Sequence, residues 1–145
     1  MASLTGSDWL YAVMGLVLQG SLVIYFALRK WRFETSMRLG WLFYAAGIPA
    51  LLVSIALLVI GAPWYQWLAG VLFAAWAAFG SWIDRVRAIE WRSPMRWSVA
   101  GPYLLLYLSA QMFYWWPLAR LHRSLWIAYA MLFILSTALN LISHP

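Results

Sequence analysis

In a chain this apolar, few residues have the type and spacing to do chemistry. Between residues 99 and 118, Tyr103, Tyr107, Gln111 and Tyr114 recur at steps of 4, 4 and 3, a polar-aromatic stripe on one helical face. Between 124 and 142, Tyr129, Ser136, Asn140 and Ser143 do the same at steps of 7, 4 and 3. Gln19 stands alone in the middle of the first apolar run, with Gly15 on its face. Polar groups in hydrocarbon need partners, so these stripes are expected to turn inward and meet. Tyr103, Tyr107 and Gln111 would then face Gln19 and Asn140, lining an interior suited to a flat, mostly apolar ligand. The plainer reading, favoured because any small bundle needs such polar stripes for specificity, is hydrogen bonding between helices, worth about 0.6 kcal/mol per pair in a membrane.

The remaining chemical groups exclude more than they offer. Asp84 closes the third apolar run, with Arg85 beside it and Arg87 three residues on. A salt-bridged helix end is the expected outcome there, not a proton path, because the spans supply no chain of ionisable groups at depth. His122 and His144 lie 22 residues apart, roughly 33 Å along a helix, too far to share a metal or haem. The single lysine, Lys30, falls in a connection, which argues against a Schiff base in the core. There is no cysteine, so disulfides, thiolate nucleophiles and Cys-based metal sites are absent together. With four acidic residues in 145 and no paired acids, enzyme activity is not expected, and no cofactor is called for.

These groups must be positioned by membrane-spanning helices. The chain is 66% hydrophobic and 10% charged, whereas a soluble domain needs about a quarter of its residues charged. Five runs are long enough to span, about 9–28, 39–61, 64–83, 99–118 and 124–142, given that roughly 20 helical residues cross the bilayer core. The predicted fold is therefore an all-α polytopic helical bundle of five transmembrane helices in one integral membrane domain, 1–145. Ser7 or Asp8 should cap the first helix, and Thr35 or Ser36 the second. Pro49 should kink the second helix, while Pro63, Pro94 and Pro117 mark connections. No basic region precedes the first run and Arg29-Lys30 follows it, unlike a cleavable signal.

Orientation follows from the cations. Arg29, Lys30, Arg32 and Arg38 share one side with Arg85, Arg87, Arg92 and Arg96, against Arg120 and Arg123 on the other. This bias places the N-terminus outside and the C-terminus in the cytoplasm, in what is expected to be the inner membrane of a prokaryote. Net charge is +6, but its confinement to connections points to membrane lipids as partners, not nucleic acid. Arg32, Arg38, Arg92 and Arg96, interleaved with tryptophan, are the candidate lipid-headgroup contacts. Most of the twelve tryptophans fall where interfacial belts belong, including Trp9, Trp64, Trp115 and Trp116 on one side and Trp31, Trp41, Trp82, Trp91 and Trp97 on the other.

The third run carries Gly70, Ala74, Ala77, Ser81 and Asp84 at steps of 4, 3, 4 and 3, a small-residue face for helix packing. Trp76, Phe79 and Ile83 are expected to point away from it, partly to lipid. A weak internal similarity links Trp31-Arg32 and Ser36-Met37-Arg38 to Trp91-Arg92 and Pro94-Met95-Arg96, which would pair 9–61 with 64–118 as two hairpins and leave the fifth helix added. In length, span count and tryptophan richness the chain is similar in outline to the translocator-protein family. That family's proline- and tryptophan-rich entry to the second helix is replaced here by Glu34-Thr35-Ser36-Met37-Arg38-Leu39-Gly40-Trp41, and no residue roles carry over. The sequence thus predicts a non-enzymatic membrane protein that binds an apolar or aromatic small molecule or lipid in its bundle and could transport it. The alternative is a structural or assembly subunit that packs against a membrane partner or another copy of itself.

Overall fold

Thr5 opens the first helix. Its side chain accepts from the Asp8 backbone N–H while the Asp8 carboxylate accepts from the Thr5 N–H and hydroxyl, a reciprocal cap that satisfies two donors the helix leaves unpaired. The cap is two to three residues upstream of Ser7 and Asp8, and Asp8 serves it as the third helical residue. The computed structural model describes residues 3–143. The fold is all-α, with helices α1 (Gly6–Trp31), α2 (Phe33–Ala45), α3 (Gly47–Val59), α4 (Trp64–Ser81), α5 (Trp97–Leu121) and α6 (Arg123–Ser143). A π-helical turn, Trp82–Val86, extends α4, and no strand occurs among the described residues.

α2 and α3 together form the second predicted span, interrupted at Ala46. The break lies one turn before Pro49, whose ring would meet the Ala45 carbonyl and which has no N–H to give it. α2 begins at Phe33, so Thr35 and Ser36 lie inside the helix, with Ser36 bonding back to the Phe33 carbonyl. Pro117 is likewise inside α5, fully buried, and α5 ends four residues later. His122 makes the next junction, its Nδ1 accepting from the Ser124 N–H at 3.2 Å.

Four segments among the described residues are long and apolar enough to cross a membrane: Gly6–Trp31, Phe33–Val59, Trp64–Val86 and Arg123–Ser143. α5 has the length, at 25 residues, but its tyrosines, tryptophans and Gln111 lower its hydropathy, and it is not one of the four. Four apolar spans make this a chain suited to membrane insertion.

The helices form two compact units, residues 1–43 with 114–145, and residues 44–113. These divisions fall inside the two segments, 9–61 and 64–118, that the weak repeat would pair. In the first unit α1 packs on α6. It buries Tyr11, Ala12, Gly15, Leu18, Gln19 and Leu22, a single stripe at helical spacing. A Cβ on Gly15 would lie 2.7 Å from the Tyr114 ring, so the glycine allows that ring onto the helix. In the second unit α3 packs on α4, and a Cβ on Gly47 would lie 2.8 Å from the Ala77 Cβ and 3.4 Å from the Ala74 backbone.

α4 buries Gln66, Ala69, Gly70, Phe73, Trp76, Ala77 and Gly80. The expectation that Trp76 and Ile83 point away toward lipid is overturned: they are 5% and 2% exposed. Small residues give close backbone approach, yet the large apolar rings beside them fill the space between helices and are buried with them.

Candidate functional site

In the second unit the Asp84 carboxylate accepts four hydrogen bonds. It sits in the π-helical turn that ends α4, where the ladder of helical hydrogen bonds is giving way. Its Oδ2 accepts from the Tyr44 hydroxyl at 2.5 Å and from Arg92 at 3.2 Å. Its Oδ1 accepts from the Trp91 indole N–H and from Arg92, both at 3.1 Å. All the bonds are charge-assisted, and the two from Arg92 make a bidentate fork. The partner is therefore Arg92, eight residues on, and not Arg85 or Arg87 as neighbourhood on a helix suggests. The helix has ended by then, so the spacing rule that favours Arg87 no longer operates.

The chain returns to Asp84 by a folded detour. Arg87 N–H reaches the Trp82 carbonyl and Ile89 N–H the Ile83 carbonyl, closing the helix end around Ala88, whose φ is +46°. That left-handed conformation usually falls to glycine at a helix C-terminus. Arg96 N–H then bonds the Trp91 carbonyl, and Arg92 bridges to Met95. The apolar side of the detour enters the core: Ile83, Trp91 and Ala100 are buried together, with Phe79, Ile89, Val99 and Tyr103 against them. Trp91 is thus a core residue, not part of an interfacial belt. Its ring also carries the Arg92 guanidinium, 4.2 Å from the centroid. Partial burial disfavours charge on Arg92, but its bonds to Asp84 outweigh that and raise its pKa further.

Next to this network lies an aromatic cluster centred on Trp76. Phe73, Tyr107, Tyr103 and Tyr44 surround it with centroid separations of 5.3, 5.5, 5.7 and 5.8 Å. Tyr103 continues to Trp91 at 4.9 Å. Gly80 makes the approach possible, since a Cβ there would lie 2.7 Å from the Tyr44 ring and 3.1 Å from Tyr103. The Trp76 indole N–H is buried with no hydrogen-bond partner. Such a donor is costly in a protein interior and costlier in hydrocarbon.

The five residues read from the sequence as ligand contacts fall in both compact units. Tyr103 and Tyr107 flank Trp76 in the second, and Gln111 is buried one turn further along α5. Gln19 and Asn140 belong to the first. There Gln19 Nε2 donates to Ser136 Oγ at 2.7 Å, and Ser136 donates in turn to the Phe133 carbonyl at 2.9 Å. Asn140 lies one turn beyond Ser136 and accepts at its carbonyl from Ser143. Gln19 Oε1 has no partner. Tyr11, which the sequence reading passed over, is completely buried, stacks on Tyr114 and donates to the Tyr114 carbonyl at 2.9 Å. The signal for it was available: Tyr11, Gly15 and Gln19 step by four along one face.

Arg32, Arg38 and Arg96 are exposed, whereas Arg92 is turned to Asp84. His144 lies outside the described residues. No group of three or more histidine, cysteine or acidic side chains able to hold a metal occurs among the described residues. No protein-family model, curated protein or solved structure matches the chain.

Proposed function

We propose that this chain is a non-enzymatic protein of a prokaryotic inner membrane that binds a flat, mostly apolar molecule or lipid at the aromatic cluster of residues 44–113. The observation that carries the reading is the Trp76 indole N–H, buried without a partner among four aromatic rings. A ligand with one acceptor and a planar apolar body would satisfy that donor and stack on Tyr103 or Tyr107. Gln111, buried one turn beyond Tyr107, would add a polar contact at the far end.

Native mass spectrometry of the protein extracted from its own membrane tests this directly. Trp76→Phe keeps an aromatic ring and removes the N–H, and Gln111→Leu removes the amide. Both variants should retain the wild-type melting temperature within a few degrees and lose or exchange the co-purifying molecule. Unchanged bound content in both would end the proposal.

The second reading is a structural subunit acting through helix packing. It is favoured by Tyr11 and Gln19, whose bonds to Tyr114 and Ser136 join helices without needing a ligand. On that reading the protein co-purifies with another membrane chain or a second copy, and with no small molecule.

A further inference from the structure

The segment from Trp82 to Trp97 has two chemically different sides, fixed by the same network. Inward, Ile83, Ile89 and Trp91 are packed into the core. Outward, Trp82, Val86, Met95 and Trp97 are exposed, with Arg85, Arg87 and Arg96 among them. Asp84 and Arg92 neutralise each other. Of the segment's acids only Glu90 is then left to oppose three arginines, and none of the three has an ion-pair partner among the described residues. Arg87 lies over the Trp82 ring at 5.3 Å, so cation and aromatic anchor are presented together. Exposed tryptophans beside unpaired arginines are the composition of a bilayer–water boundary, where indoles settle at headgroup depth and cations meet phosphate.

We infer that the outward side of Trp82–Trp97 is a preformed binding surface for anionic phospholipid, with Arg85, Arg87 and Arg96 holding the headgroup phosphate. Trp82 and Trp97 set its depth. Arg92 is not one of the ligands, because its guanidinium is committed to Asp84. Its part is to hold the segment in the folded form that displays the other three. Anionic lipid is the occupant that fits. The surface is cationic, its exposed apolar residues need an amphipathic partner, and it begins within the last turn of the apolar segment Trp64–Val86 and runs on from its end.

The test places a photo-crosslinker at exposed Ser98, next to the surface but outside it. The Ser98→p-benzoylphenylalanine protein is reconstituted into vesicles of equal phosphatidylglycerol and phosphatidylcholine and irradiated. Each basic residue near an anionic surface favours it by roughly fivefold. Cross-links to phosphatidylglycerol should therefore exceed those to phosphatidylcholine by roughly tenfold or more at low salt, falling as salt is raised. Combining Arg85→Gln, Arg87→Gln and Arg96→Gln should bring the ratio close to one, while Arg120→Gln with Arg123→Gln leaves it unchanged. Equal labelling of the two lipids in the otherwise wild-type protein would overturn the inference without any arginine variant. So would a preference that survives loss of the three arginines.

Discussion

The two compact units solve the same problem, polarity inside an apolar fold, in opposite ways. Along the buried stripe of the first, α1 is held by uncharged groups, Gln19 to Ser136 of α6 and Tyr11 to the Tyr114 carbonyl of α5, while the charged Lys30, which donates to the Ile142 carbonyl of α6, sits exposed at the helix end. In the second, a full carboxylate is used, with four donors from three residues arranged around it. The difference follows position along the helix. Gln19 lies mid-way along a 26-residue helix, where a charge would have no access to water. Asp84 lies where α4 ends, its side chain 21% and that of Arg92 42% exposed, so part of their hydration is retained. Charge is placed where desolvation is incomplete, and neutral bonds are placed where it is complete.

The largest effect should come from breaking the charged side of that contrast. Asp84→Ala leaves Tyr44, Trp91 and Arg92 without their shared acceptor and releases the turn that carries Trp91 into the core. The expected loss is about 3 kcal/mol, since a charged, partly buried partner is removed. A thermal melt in detergent should show it, and limited proteolysis should cut between Val86 and Arg96 in the variant alone. Asp84→Asn should fall between, keeping a carbonyl acceptor for Trp91 without the ion pair. Equal stability of Asp84→Ala and wild type would mean that the network contributes nothing net.

Next in size is the backbone approach of the first unit. Gly15→Ala puts a methyl 2.7 Å from Tyr114, a ring that Tyr11 holds by stacking. Overpacking of this kind costs about 1 to 3 kcal/mol. Gly20→Ala, with nothing within 4 Å of the new methyl, should instead gain roughly 0.5 kcal/mol from reduced chain entropy. Opposite signs in one melting experiment would locate the packing face of α1. The same sign at both positions would remove it.

Much of this could be read from the sequence, and the misses have a common cause. The existence of the helices followed from apolar runs, because burial of backbone in hydrocarbon leaves few other solutions, but their ends did not: α2 already begins at Phe33, inside the basic stretch read as a connection, and the second span is divided at Ala46. Gly15, Tyr114 and Gln19 were each identifiable, since helical spacing puts them on defined faces. What failed was whatever depends on the chain after a helix stops. Arg92 reaches Asp84 only because Ala88 turns left-handed and the next residues fold back, and no periodic rule foretells that geometry. Trp76 failed for a different reason. A large apolar ring in a membrane helix is equally content against lipid or protein, so composition cannot assign its direction. Its unpartnered N–H, on which the functional proposal rests, was therefore invisible until the rings around it were placed.

The smallest effect is expected at Gln19, and it bears most directly on function. Gln19→Met keeps the length of the side chain and removes both amide atoms. The bond to Ser136 is lost, worth about 0.6 kcal/mol, but Ser136 retains the Phe133 carbonyl as its own acceptor. The orphaned Oε1 is removed in the same step, which relieves a buried unsatisfied group. The two changes oppose each other, so stability should move by less than about 1 kcal/mol, in contrast to Asp84→Ala. If Gln19 serves packing alone, bound small molecules detected by native mass spectrometry are then unchanged as well. If Oε1 is an acceptor for a ligand hydroxyl or N–H, the melt stays flat while bound content changes, and the first unit joins the second as a binding region. A large destabilisation would contradict both, and would show that one neutral amide in the membrane interior holds α1 to α6 as firmly as a charged network holds the end of α4.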